Sequence, residues 1–216
     1  IVDAGGHNGP LRRDYWNEKS VKIPVKFVLM DGDFGEAVEL HFGSMAPGGY
    51  AWMFPKSKGA NIGLGIQRSF AKGRNLNQYT EDFVSKYDGE ISFTGAGSLP
   101  MSGTLKKFVK GNYMLVGDSA GMVLPSNGAG ITIAMVGGRI AGQVISEHLS
   151  SGIPLEEYEK RWKKQMGKVM RNSKRSFKMG SLLFRLPDWI LNLLFNRLTK
   201  NIIWRAVTCR RMLWVL

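Results

Sequence analysis

The residues with the clearest chemical potential lie between Asn112 and Gly130, in the order NYMLVGDSAGMVLPSNGAG. An apolar run, Met114-Leu115-Val116, ends in Gly117-Asp118, and a small-residue turn with Pro125, Gly128, Ala129 and Gly130 leads into a long apolar stretch from Ile131. Glycines let the backbone approach a ligand closely, and a short carboxylate can accept hydrogen bonds from sugar hydroxyls. The free N–H groups and positive dipole end of a following helix face electron-rich oxygens. Together these are what a nucleotide cofactor needs at the end of a parallel strand. An ordinary buried strand–turn–helix accounts for the glycines equally well. Asp118 separates the two readings, because an aspartate at the mouth of a buried strand needs a partner.

A second set is aromatic. Tyr50, Trp52 and Phe54 alternate along the chain and so project from one face of a strand. Three aromatics on one face make a flat apolar wall suited to a long hydrocarbon chain, although an aromatic core stripe is the commoner use of such a pattern. Pro55 is expected to end this strand, since it donates no hydrogen bond. The three histidines, His7, His41 and His148, lack metal-ligand spacing, so no metal site is expected. No Gly-x-Ser-x-Gly elbow or Walker loop is present.

Two of these stretches resemble known motifs. Gly117-Asp118-Ser119-Ala120-Gly121, Pro125, Gly128-Ala129-Gly130-Ile131, Ala134-Met135 and Gly138-Arg139 resemble the second FAD-binding motif of para-hydroxybenzoate-hydroxylase-type flavoproteins. The resemblance implies that Asp118 holds the ribityl hydroxyls of FAD. It also implies that N–H groups around Gly128–Ile131 stabilise negative charge at the flavin pyrimidine edge. Tyr50-Ala51-Trp52-Met53-Phe54-Pro55, seven residues, then Gly63-Leu64-Gly65, is similar to the Tyr-x-Trp-x-Phe-Pro…Gly-x-Gly motif of geranylgeranyl reductases. That implies a substrate wall of Tyr50, Trp52, Phe54, Pro55, Gly63 and Gly65, with Tyr50 as a candidate proton donor. A third stretch, Asp3-Ala4-Gly5-Gly6 through Arg12-Arg13, resembles the superfamily's Asp-Gly motif with Gly5 at the usual aspartate position. Asp3 and Arg12 are accordingly expected near the cofactor.

The family resemblance implies an FAD-dependent oxidoreductase that saturates carbon–carbon double bonds of geranylgeranyl or polyprenyl groups in isoprenoid lipids, with NAD(P)H or a ferredoxin as electron donor. A flavin monooxygenase or halogenase of the same superfamily is the second reading. The third is a noncatalytic basic membrane- or nucleic-acid-binding domain. The superfamily's opening Gly-x-Gly-x-x-Gly turn does not occur, so the chain reads as the C-terminal portion of a longer protein.

The elements that must position these residues follow from pattern. Residues 21–30, 37–42, 50–55 and 61–66 read as strands of an antiparallel sheet, 76–87 as a short helix, 96–100 as a loop, 112–117 as a strand and 131–149 as a helix. The expected fold is α+β and α/β: an incomplete Rossmann-like FAD-binding domain, an antiparallel-sheet substrate domain and a helical tail. Expected boundaries are 1–20 for the Asp-Gly-like segment, 21–105 for the substrate domain, 106–150 for the return into the FAD domain, and 151–216 for the tail.

With 216 residues and 44% hydrophobic content, the chain can bury a substantial core. Its net charge of +13 is concentrated in the tail, where the last 66 residues hold 15 Lys/Arg against 4 Asp/Glu. Basic residues interleaved with Trp, Phe and Leu suit the headgroup boundary of a membrane, and the tail's many Leu and Ile residues speak against stacked bases, so no nucleic acid is expected. Trp189–Asn196, the longest uncharged stretch beyond residue 180, is too short to span a bilayer. A cytoplasmic protein held peripherally at a membrane is expected. Cys209 is the single cysteine, which excludes an internal disulfide.

Overall fold

A computed structural model describes residues 1–16, 18 and 20–197. Cys209, Ile202–Trp204 and Met212–Leu216 lie outside the described residues. The chain divides into two compact units, one of Ile1–Lys22 and Leu99–Gly180, the other of Ile23–Ser98 and Ser181–Arg197.

The first unit is built on a short sheet. β1 (Val2–Asp3) pairs in parallel with β8 (Tyr113–Leu115), which pairs antiparallel with β7 (Val109–Lys110). Met114 and Leu115 are fully buried, and α3 (Ile131–Ser151) and α4 (Glu157–Leu183) contribute Val144, Tyr158 and Trp162 to the same core. Glu159 explains how α4 is tied to the sheet. Its buried carboxylate accepts the backbone N–H groups of Phe108 (2.6 Å) and Val109 (3.0 Å), and Lys163 balances its charge. The stretch after Asp3 contains a six-residue helix, α1 (Pro10–Tyr15). Pro10 at its first turn suits that position, where a missing N–H costs nothing.

The second unit is a five-stranded sheet in the order β3-β4-β5-β2-β6, with β3 at Glu39–His41, β4 at Tyr50–Lys56, β5 at Gly59–Gly65, β2 at Lys22–Asp31 and β6 at Glu90–Pro100. β3–β4, β4–β5 and β5–β2 are antiparallel, as the alternating pattern predicts. Residues 96–100, expected as a loop, instead finish β6, an edge strand whose Gly95 lies beneath the Phe27 ring. Glycine and serine content hid that strand, whose Gly95 makes room for Phe27, the single aromatic of β2.

One sheet face packs on α2 (Leu76–Val84), burying Ala51, Met53, Ile62, Leu64, Tyr79 and Phe83. A capping box, Asn75 with Gln78, starts α2. After Gly180 the chain joins this unit. α5 (Asp188–Arg197) is seated by Asp188, which accepts from the Ser44 N–H (2.9 Å) and hydroxyl (2.5 Å), while Phe184 meets Phe70 edge-on. Among the described residues no helix is long and apolar enough to cross a membrane.

Candidate functional site

In the first unit the Gly-Asp motif forms a tight 3-10 turn, Gly117–Ala120, directly after β8. Gly117 (φ 68°) and Gly121 (φ 69°) bracket it in left-handed conformations that favour glycine. The turn is locked by buried polar contacts. Ser119 is fully buried, its hydroxyl accepts the Val116 N–H (3.0 Å), and its proton is shared between the Asp3 carbonyl (2.5 Å) and the Val116 carbonyl (2.7 Å). The buried Arg12 guanidinium donates to the Ser119 carbonyl at 2.6 Å, with the Asp118 carbonyl at 3.5 Å. Burial pulls the Arg12 pKa below the ordinary arginine value, the sign of a guanidinium buried at some electrostatic cost.

The Asp3 carboxylate is committed to the backbone. It accepts the Gly5 N–H (2.8 Å) and the Arg12 N–H (3.1 Å), holding the start of α1. Gly9 has to be a glycine for that to occur, since a Cβ there would lie 2.3 Å from the Asp3 carboxylate. Asp3 and Arg12 therefore brace the turn that carries Asp118. Ser119, which sequence reasoning left without a role, is the hub of that brace. Its position beside the Gly-Asp pair was the available signal.

Asp118 itself is different. Its half-buried carboxylate accepts no hydrogen bond among the described residues. Burial pushes its pKa up, and the neighbouring His7 offsets part of that rise. The side chain sits against the start of α3, where a Cβ on Gly130 would come within 3.4 Å of the Asp118 Oδ1. Pro125 is buried in the turn Leu124–Gly128, and Gly128 is left-handed (φ 73°). Two of the N–H groups expected to face a ligand are used within the loop: Gly128 donates to the Leu124 carbonyl (2.8 Å) and Ala129 to the Asn127 side chain (3.0 Å). The first turn of α3, from Ile131, follows Gly130, which offers no side-chain cap. An orphaned carboxylate beside an uncapped helix start, over glycines that leave it uncovered, fits the ribityl hydroxyls and polar pyrimidine edge of a flavin.

The second unit carries the aromatic residues on the sheet face opposite α2. Tyr50 and Trp52 have ring centroids 5.7 Å apart, and Trp52 stacks on Phe54 at 5.9 Å and 23°. The Trp52 indole N–H donates to the Asn61 side chain (2.7 Å), which fixes the ring. Gly63 lies beneath that ring: a Cβ there would meet Trp52 at 2.7 Å and Phe27 at 2.5 Å. Gly65 is buried against Val25. Both glycines thus shape the wall from below. Phe54 remains 37% exposed and Phe93, on β6, 53% exposed, so the face extends beyond the three predicted rings. Pro55 does not end the strand. It pairs with Ala60 on β5, and β3 reaches only Met53, so its missing N–H falls where β4 has one neighbour. Burial raises the Tyr50 phenol above the ordinary tyrosine value. Among the described residues no group of His, Cys, Asp and Glu is arranged to hold a metal ion.

Residues 21–96 match the family model of the geranylgeranyl reductase catalytic domain. The chain is 38% identical over 169 residues to digeranylgeranylglycerophospholipid reductase 2 of Methanothermobacter thermautotrophicus, covering 76% of this chain and 43% of that protein. It is 34% identical over 190 residues to the digeranylgeranylglycerophospholipid reductase of Methanothrix thermoacetophila, covering 84% and 48%. The crystal structure of a geranylgeranyl bacteriochlorophyll reductase-like protein from Thermoplasma acidophilum superposes with a TM-score of 0.78 at 25% identity, over 96% of this chain and 58% of that one. A probable FAD-dependent monooxygenase from Pseudomonas aeruginosa shares the fold at a TM-score of 0.60 and 15% identity, over 84% and 55%. The chain spans about half the length of the curated relatives it matches. These matches support the chain as a partial member of the geranylgeranyl reductase family.

Proposed function

We propose that the protein is an FAD-dependent reductase of the carbon–carbon double bonds in geranylgeranyl or related polyprenyl chains of membrane lipids. The observation that carries this reading is the orphaned Asp118 carboxylate at the uncapped start of α3. Asp118 accepts the ribityl hydroxyls, Gly117, Gly128 and Gly130 keep the approach open, and the first-turn N–H groups from Ile131 face the pyrimidine oxygens. Asp3, Arg12 and Ser119 hold that turn in place. Reduced FAD, when bound, supplies a hydride for one alkene carbon, and a proton completes the other. NAD(P)H or a ferredoxin supplies the electrons.

Tyr50, Trp52 and Phe54 hold the prenyl chain flat and exclude water, so that orientation contributes much of the rate gain. Burial raises the Tyr50 phenol above the ordinary tyrosine value and makes it a weaker acid, and we assign it to the wall. The family model over residues 21–96 supports a lipid substrate for this face. Peripheral attachment to an anionic lipid surface completes the reading. Lys164, Lys168, Arg171 and Arg175 are exposed at three- and four-residue steps along α4, and no acidic residue occurs between Lys160 and Pro187. Trp189, 69% exposed on α5, suits the headgroup boundary.

The test is an anaerobic incubation of the full natural protein, FAD, dithionite and a lipid with geranylgeranyl chains, read by mass spectrometry. A gain of two mass units per double bond is expected. A colourless protein that takes up no flavin sinks the reading, and an oxygen-dependent product would replace it with the monooxygenase alternative.

A further inference from the structure

Inward-facing residues recur along α4 at mostly three- and four-residue steps: Tyr158, Trp162, Met166, Val169 and Met170 all pack into the core of the first unit. The next position of that stripe, three residues on, is Ser173, and it is fully buried. A hydroxyl at a core position is costly unless it is hydrogen-bonded. Serines within helices commonly turn back to the carbonyl four residues earlier. Ser173 instead reaches out of its helix. Its hydroxyl accepts the Ser126 N–H (3.0 Å) and lies 2.9 Å from the Ser126 hydroxyl, across 47 positions of sequence.

Ser126 belongs to the turn that leads into α3. Other backbone N–H groups of that turn are spent inside it. Leu124 donates to the Ala129 carbonyl (2.9 Å), Asn127 and Gly128 donate to the Leu124 carbonyl (3.3 and 2.8 Å), and Ala129 donates to the Asn127 side chain (3.0 Å). Pro125 has no N–H to give. The turn is thus a closed unit of fixed shape, and at Ser126 it offers its N–H to a different element. A rigid unit held at such a point has its placement set there. α4 meets α3 again at Gly137, where a Cβ would come within 3.4 Å of the Tyr158 hydroxyl oxygen and 3.6 Å of the Trp162 ring. The start of α3 lies between these two contacts, one in the turn before it and one about two helical turns along it.

We propose that Ser173 is a positioning residue for the flavin site, acting through Ser126. It holds the turn from Leu124 to Gly130 in the placement that aims the first N–H groups of α3 at the pyrimidine edge. This deepens the flavin-reductase reading and rests on it for the identity of the ligand. Those N–H groups carry the positive end of the helix dipole, so they favour the more negative, reduced form of FAD over the oxidised form. Ser173, being fully buried, touches no ligand; it sets how far the helix start discriminates between the two forms.

The experiment measures the midpoint potential of FAD on the full natural protein and three variants, by anaerobic equilibration with a reference dye, together with oxidised-FAD affinity and melting temperature. Ser173→Ala leaves the Ser126 N–H without its acceptor. It is expected to cut the preference for reduced over oxidised FAD about three- to tenfold, the size of a helix-end interaction. For a two-electron couple that is a fall of about 15–30 mV. Ser126→Ala keeps the N–H bond and loses the hydroxyl pair, so a smaller fall in the same direction is expected. Tyr79→Phe removes the buried bond from the Tyr79 hydroxyl to the Ala71 carbonyl (3.1 Å) in the second unit, and is expected to lower the melting temperature without moving the potential.

A Ser173→Ala protein that melts lower at an unchanged potential overturns the proposal, since the serine is then structural only. An equal fall in Tyr79→Phe overturns it as well. If Ser173→Ala does not fold, Ser126→Ala decides, and an unchanged potential there is the overturning result. A natural protein that takes up no flavin ends the reductase reading and this proposal together. Failure to saturate alkenes with the Ser173→Ala shift intact counts against the reductase reading alone.

Discussion

Replacing Arg12 by methionine tests whether this residue supports the Gly-Asp turn or reaches for a ligand. Its guanidinium donates to the Ser119 carbonyl at 2.6 Å, a charge-assisted bond worth about 1.5–3 kcal/mol. The 3.5 Å approach to the Asp118 carbonyl is too long to add much. Methionine keeps most of the aliphatic stem, so packing loss is small. Removing a guanidinium whose pKa burial depresses also returns some desolvation cost, which lowers the net figure to about 1–3 kcal/mol. For a chain of this size that corresponds to a fall in melting temperature of about 2–4 °C per kcal/mol. FAD affinity should fall about tenfold or more, because the turn that aims Asp118 is no longer held from below. Arg12→Met and Ser119→Ala should be non-additive by at least about 0.5 kcal/mol in a double-mutant cycle, since both brace one turn. Chemical denaturation and flavin titration of the four proteins supply all the numbers. A variant with unchanged melting and unchanged FAD affinity, or strictly additive effects, refutes the bracing argument.

The remaining predictions concern other groups. Asp118→Asn should weaken FAD binding by about tenfold or more, through loss of a charged acceptor, yet leave the FAD-free protein at least as stable. The sign follows from burial: a carboxyl whose folded pKa is raised penalises the fold above that pKa, and asparagine removes the penalty. For the same reason FAD affinity of the natural protein should decline as pH drops through the raised Asp118 pKa, at higher pH than an ordinary aspartate would give; the asparagine variant should show a flat profile in the same titration. Trp52→Ala removes the bond to Asn61 and the stack on Phe54, and should cost about 2–4 kcal/mol in urea unfolding and raise the KM for a prenyl substrate. Tyr87→Phe removes the 2.7 Å bond to Glu39, at about 0.5–1.5 kcal/mol. His41 and Tyr87 hold the Glu39 carboxyl below its usual range, so that stability is present above about pH 4.3 and is lost on acidification; the variant should lose less on the acid side of a pH–stability curve.

The parts of this molecule that announce themselves in sequence are those whose reason is local. Alternation of Tyr50, Trp52 and Phe54 gives a strand and its exposed face, because period two depends on the backbone alone. Asn75 three residues before Gln78 announces the start of α2 for a similar reason. By contrast, residues 96–100 read as a loop because the strand they finish packs Gly95 under Phe27, a contact between residues 68 positions apart. The roles of Asp3, Arg12 and Ser119 were equally hidden. Type and motif suggested ligand contacts for the first two; the Asp3 carboxylate holds local N–H groups of Gly5 and Arg12, whereas the Arg12 and Ser119 side chains reach backbone carbonyls brought close when β1 is laid beside β8.

The same division explains why Asp118 alone keeps an open carboxylate. Every other polar group of the turn is close enough to a backbone donor or acceptor to be satisfied by folding. Buried polar groups are paired almost without exception, and the three residues around Asp118 obey that rule at close range. A buried arginine, a buried serine and a buried aspartate fix this turn, while the half-exposed carboxylate at its tip has no donor among the described residues. On the flavin reading the ribityl hydroxyls supply that donor at the start of α3, and this is the physical content of the proposal.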